Sequence, residues 1–205
     1  MENKTENKIK KNKKFIIIPV VLIIVIALGI IVMYILNSPQ VALANFFNGI
    51  KNTNKESVNK YISYNQVVSY LITDDVSNDV EAKLENDCFK KLEYKINTIS
   101  IQDNKATINV ETTNINFRNA LTKWTQDIYK KLISGETMTN EQEKELLNTY
   151  LEDESIGTMT VTKDISLVKE DGNWKIQNDQ NLEDALFPGL SEVVSSVNSL
   201  VNEQQ

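Results

Sequence analysis

Residues Phe15 to Leu36 read FIIIPVVLIIVIALGIIVMYIL, 22 positions without a charge. As a helix rising about 1.5 Å per residue, this run reaches roughly 30 Å, the hydrocarbon thickness of a bilayer. No face of it is polar, which speaks against a helix buried in a water-soluble core. A single transmembrane helix over 15–36 is expected. Pro19 and Gly29 inside it fit that expectation, because both occur in membrane helices.

The flanks set the orientation. Lys4, Lys8, Lys10, Lys11, Lys13 and Lys14 precede the run, against Glu2 and Glu6, so residues 1–14 carry about +4. Positive flanks stay inside. The expected topology is single-pass in a cell membrane, with a cytoplasmic basic tail and everything from Asn37 onward extracytoplasmic. With −6 on the whole chain, the exported part carries about −10. Such an acidic domain is not built to bind nucleic acid, which needs a basic face; the charge fits a soluble exported domain or a cationic partner. A 14-residue tail is too short to fold alone, so an internal output domain is not expected. Cleavage is the rival reading, since Ala42-Leu43-Ala44 has the A-x-A form of a signal-peptidase site. Against it, the apolar run is longer than the usual h-region of about 7–15 residues.

After the anchor, the periods switch from helix to strand. Ser38 and Pro39 read as N-cap and first helical residue, followed by the apolar positions Leu43, Phe46, Phe47 and Ile50. Thr53 and Glu56 have capping-box spacing for a second short helix carrying Val58 and Ile62. Helical spacing resumes over Gln66–Lys91 through Val67, Leu71, Val76, Val80, Leu84 and Cys88, with a break near Asp74–Asp79. Alternation over Tyr94–Ile101 and again at Ala106, Ile108 and Val110, with a turn at Asp103-Asn104, predicts an antiparallel hairpin. Phe117, Leu121, Trp124, Ile128 and Leu132 predict an amphipathic helix with Trp124 toward the core and the helix packed on the sheet. Thr139 and Gln142 form a capping box for a helix through Leu147 and Leu151. Thr158–Lys169 reads as a strand, Asp171-Gly172 as a two-residue hairpin turn, and Trp174 and Ile176 as the returning strand. A helical tail with Leu190, Val193, Val197 and Leu200 follows Pro188-Gly189.

Helices first and antiparallel hairpins later make an α+β domain. PQVALANFFNGIKNTNKESVNKYI (39–62) resembles the opening helix pair of the nuclear-transport-factor-2-like superfamily, and SLVKEDGNWKI (166–176) resembles its closing hairpin. The resemblance covers roughly 39–178. It implies a cone in which a curved sheet wraps a helix, a fold that hosts enzymes, ligand binders and scaffolds alike. Bacterial envelope proteins carry such domains behind one membrane helix, as do inner-membrane scaffold subunits of type IV secretion and conjugation machines. The two helices between Phe117 and Leu151 depart from the simplest form and leave the strand order open.

The chain has no histidine. That removes the commonest general base, the Ser-His-Asp and Cys-His arrangements and the main zinc ligand. A carboxylate pair in the cone remains the one route to acid–base chemistry. Asp75-x-Ser77-x-Asp79 opens like a calcium loop but fails where Val80 replaces the required Gly and Asn86 the bidentate Glu. Glu152-Asp153-Glu154 reads as a solvated helix end. Tyr94, Trp124 and Trp174 could line a pocket, though at this spacing aromatics more often build core. The single cysteine, Cys88, cannot form an internal disulfide; it lies far from the span, against lipidation, and shares a helix face with Leu84 and Leu92.

The expected organisation is therefore a cytoplasmic tail (1–14), a transmembrane helix (15–36), an extracytoplasmic α+β domain (37–180) and a C-terminal helical tail (181–205). No catalytic, cofactor or metal residue is assigned. The expected function is non-enzymatic: binding or scaffolding an envelope protein or small ligand beside the membrane. A type IV secretion scaffold subunit and a small enzyme using cone carboxylates are the alternatives.

Overall fold

The computed structural model describes residues 23–29, 31–33, 35–63 and 87–202, with backbone alone over 197–202. It is an α+β domain built on a four-stranded antiparallel sheet. The basic tail lies outside the described residues, as do 15–22, 30 and 34 of the apolar run. The rest of that run is helical, with its aliphatic side chains exposed. No helix among the described residues is long and apolar enough to cross a membrane, so the expected transmembrane helix is not shown.

Helix α1 (Pro39–Lys51) starts as its sequence dictates. Ser38 is extended and its Oγ accepts from the Val41 N–H at 3.4 Å. Pro39 takes the first turn, where a missing donor costs nothing. Leu43, Phe46, Phe47 and Ile50 are all buried. The expected capping box at Thr53 and Glu56 is corrected. Thr53 has φ of 50°. Its N–H bonds to the Ile50 carbonyl at 3.1 Å, and the Asn54 N–H bonds to that of Gly49 at 2.8 Å. That pair of bonds is a left-handed helix stop, so Thr53 ends α1 and cannot cap the next helix. Asn54 caps α2 (Lys55–Tyr61) instead, accepting from the Ser57 N–H at 3.0 Å.

The strands are β1 (Glu93–Gln102), β2 (Lys105–Ile115), β3 (Thr158–Glu170) and β4 (Asn173–Ile176), in consecutive order and antiparallel throughout. Asp171 and Gly172 both have positive φ, 48° and 80°, which is the hairpin geometry that the Asp-Gly pair predicts. Ala106 faces Leu167 and Ile108 faces Ile165 across β2 and β3, and all four are buried. A bulge lies between Ile96 and Thr98 on β1. Tyr94 on that edge strand stacks on Phe47 of α1 at 4.9 Å. Beyond α2, the Ser63 N–H bonds to the Ile176 carbonyl at 2.8 Å, so the chain leaves α2 along β4.

The open question of strand order resolves simply. Helices α3 (Phe117–Ile133) and α4 (Asn140–Glu152) are an insertion between paired strands. The Asn116 N–H bonds to the Gly157 carbonyl at 3.1 Å and closes the neck of this arm. The capping box of α4 is reciprocal: the Gln142 N–H donates to Thr139 Oγ1 at 3.3 Å and the Thr139 N–H to Gln142 Oε1 at 2.9 Å.

The expectation that Trp124 faces the core and that α3 packs on the sheet is corrected. Only Phe117 and Ala120 of α3 are buried. The helix packs against α4 and the last helix instead. Trp124 is half-buried, its Nε1 donating to the Glu143 carbonyl at 2.9 Å. Leu132 is 65% exposed. The physical reason is competition for the sheet's inner face. That face is covered by α1 and by α5 (Gln180–Leu186), whose Leu182, Ala185 and Leu186 are buried there together with Phe187. α6 (Leu190–Asn202) then lies on α3. The α5–α6 corner needs Gly189: its φ is 87°, and a Cβ there would stand 2.8 Å from Arg118 Cβ.

The helix expected over Gln66–Lys91 falls mostly on 64–86, outside the described residues; 87–89 are helical.

Candidate interaction surfaces

The space between sheet and α1 is where a cone would admit a ligand. Here Leu43, Phe46, Phe47, Ile108, Ile165 and Ile176 fill it with no measurable exposure. Among the described residues, this dense apolar packing leaves no gap between α1 and the sheet for a small molecule.

The inner face turns polar toward its far end, as sequence reasoning missed. Thr112 and Asn114 continue the inward parity of Ala106, Ile108 and Val110 and are fully buried. Thr112 Oγ1 donates to the Ala185 carbonyl at 2.7 Å. Asn114 Nδ2 donates to the carbonyls of Cys88 and Leu186 at 2.9 and 2.8 Å. Beside them Lys163 Nζ pairs with Asp184 at 2.6 Å, both largely shielded. Burial by itself would raise the Asp184 pKa. Hydrogen bonds from Lys163, Gln180 and Ser191 outweigh it, and the carboxyl is held below its ordinary range. The signal was available: Lys163 stands on the inward parity of β3 between Val161 and Ile165. These groups satisfy the backbone of α5 and pin it to the sheet.

Among the described residues of the domain, the α3–α4 arm presents the most open apolar surface. Tyr129, Leu132 and Ile133 are 62%, 65% and 68% exposed. Next to them a groove of about 480 Å³ runs between α3 and α6, lined by Arg118, Thr122, Gln126, Tyr129, Glu192 and Val193 among others. Arg118 and Glu192 form an ion pair across it. The arm is held together by polar links. Tyr150 Oη donates to Asp127, which also pairs with Lys130 at 2.8 Å. Hydrogen bonds from Lys130 first, then Tyr150, hold the Asp127 carboxyl below its ordinary range. The same bond to an anion pushes the Tyr150 phenol up to about 12.

The residues singled out in the sequence do not converge. Cys88 is buried and not in a disulfide. The Asp75, Ser77 and Asp79 run is outside the described residues. Asp153 of the acidic run accepts from the Ser155 N–H and Oγ, both at 2.8 Å, which lowers its pKa and makes it a local cap. Tyr94 and Trp174 stand on opposite edge strands and Trp124 on the arm. Among the described residues, no group of three or more His, Cys, Asp or Glu side chains is placed to hold a metal ion.

No family model matches the sequence, and no curated protein matches it. Two solved structures are similar in part. One is a candidate lipoprotein from Bacillus subtilis, with 13% identity and a TM-score of 0.35 over 58% of this chain. The match spans 38% of that protein's length. The other is described as a candidate ketosteroid isomerase from Shewanella frigidimarina, with 11% identity and a TM-score of 0.33 over 66% of this chain and 86% of that one. At these scores neither likeness assigns a fold or an activity, and catalysis stays open.

Proposed function

We propose that this chain is a membrane-anchored, extracytoplasmic scaffold whose domain resembles the nuclear-transport-factor-2-like cone and holds an envelope protein through its α3–α4 arm. The observation that carries the reading is a contrast of surfaces. The interior, where a ligand-binding cone needs space, is packed with Phe, Leu and Ile, while apolar side chains stand exposed on the arm. An exposed apolar patch beside a groove suits protein contact.

Anchoring is supported by the uncharged run, the lysine-rich tail before it and the exposed aliphatic side chains of its helical part. Retention of the anchor is supported by Ala42 and Leu43, buried in α1: cleavage after Ala44 would remove both from the core. Protease added to intact cells is expected to digest the domain and leave a small membrane fragment; a fully protected chain overturns the topology.

The scaffold reading is tested by a photo-crosslinking amino acid at position 133, with position 113 on the outer sheet face as control. A discrete envelope protein captured from 133 and not from 113 supports it. Equal capture from both positions, or none from 133, overturns it.

A further inference from the structure

The end of the apolar run is fastened to the sheet. The helical bond from the Asn37 N–H to the Met33 carbonyl, 3.0 Å, carries the helix to its last turn. Only Asn37 and Ser38 separate Leu36 from α1. The Asn37 side chain then donates to the Gly172 carbonyl at 2.7 Å, a link across 135 positions to the tip of the β3–β4 hairpin. Beside that link, Ile35 and Pro39 share a cleft of about 310 Å³ with Ile101, Asp103, Lys169 and Trp174. Asp103 is the first residue of the β1–β2 turn, so both hairpin tips lie at the foot of the apolar helix. Ile101, next to that turn, is 51% exposed although it is aliphatic. Lys169 Nζ lies over the Trp174 ring at 5.8 Å.

From this we infer that the two hairpin tips, Asp103-Asn104 and Asp171-Gly172, are docked on the outer surface of the bilayer. The inference rests on the anchoring proposed above. If the helix ends at the hydrocarbon boundary near Leu36, a tip bonded to residue 37 has no room to stand off from the lipid headgroups. The chemistry of the foot agrees. Ile101 finds apolar cover there, and Lys169, whose Nζ lies over the edge of the core at the buried Trp174, can lay its stem on apolar surface and its charge among the headgroups. Acidic and basic groups alternate at the tips, with Asp103 and Asp171 against Lys105 and Lys169, so the contact does not require anionic lipid. The neck of the arm lies at the other end of β2. Those 11 residues, at about 3.4 Å each, let it stand up to roughly 35 Å from the bilayer.

The test uses the full chain in phosphatidylcholine vesicles, with a fluorophore on Asn104→Cys or Glu136→Cys in a Cys88→Ala background. Lipid carrying a headgroup spin label should quench position 104 several-fold more than position 136, in the arm's loop. Equal, weak quenching at both positions in a protein that resists carbonate extraction overturns the docking and leaves the anchor intact. Release by carbonate overturns the anchor itself, and the docking with it. If Cys88→Ala does not fold, amide exchange at 103–104 and 171–172 replaces the label. Slower exchange in vesicles than in detergent supports docking, and unchanged exchange overturns it.

Discussion

The body of the domain and its α3–α4 arm use the same sequence device to different ends. Helix α1 carries apolar residues every three or four positions, and Leu43, Phe46, Phe47 and Ile50 all disappear into the core. Helix α3 carries the same spacing, yet Leu132 and Ile133 stand in solvent and Trp124 is half-covered. α1 has a whole sheet face to lie on. α3 leaves the sheet at a neck and packs chiefly on helices α4 and α6. Its cohesion combines burial of Leu151 and partial burial of Leu121 and Leu147 with single polar links, Trp124 to Glu143 and Tyr150 to Asp127, where the body relies on collective burial. An apolar helix face is thus a demand for cover, and its strength does not say whether the fold supplies it.

That comparison can be broken most directly by truncation. Phe46→Ala in the body should cost about 3–5 kcal/mol, while Leu132→Ala in the arm should stay within about 0.5 kcal/mol. Thermal melts of the two variants in the same detergent check this. Equal losses would show that the arm is as well packed as the body.

The corners come next. Gly172→Val places a β-branched residue at positive φ and should cost about 1–3 kcal/mol by strain alone, since nothing crowds the site. Gly189→Ala adds a steric clash with Arg118 and should loosen α6 from α3. Faster hydrogen exchange confined to 190–202 would report that loosening.

Smaller effects sharpen the description of the arm. Trp124→Phe and Tyr150→Phe each remove one hydrogen bond, worth about 1 kcal/mol. Each should accelerate exchange in α4 and leave β2 unchanged. A parallel change in β2 would mean that arm and body unfold as one unit.

The smallest expected effects are in the pH dependence. The folded Asp184 pKa lies below its ordinary 3.8. Its contribution is therefore complete above that value and is lost as pH falls below it. Asp184→Asn should flatten the acid limb of the stability curve below about pH 4. Tyr150 has the opposite sign. Its pKa rises from 10.0 to about 12 in the fold. Its contribution is present below pH 10 and fades as pH climbs through that window. Tyr150→Phe should remove this alkaline loss from the arm, as read by helical circular dichroism.

Much of the chain was determined locally. Ser38-Pro39, Thr139 with Gln142, and Asp171-Gly172 each set a start or a turn, because the groups that satisfy the backbone lie within a few residues. Strand parity set Ala106, Ile108 and Val110 on one face, because alternation is a property of the extended chain. Tertiary structure decided what those faces meet. It made Thr53 a helix stop, since a left-handed residue there lets α2 fold back on α1. It put α5, and not α3, on the sheet, because two helices compete for one face and sequence spacing does not rank them. It buried Thr112 and Asn114 and half-buried Lys163, which find their partners some 20 to 70 positions away: the carbonyls of Cys88, Ala185 and Leu186, and the carboxylate of Asp184. And it tied Asn37 to Gly172, joining the foot of the apolar run to a turn that the sequence placed far from it.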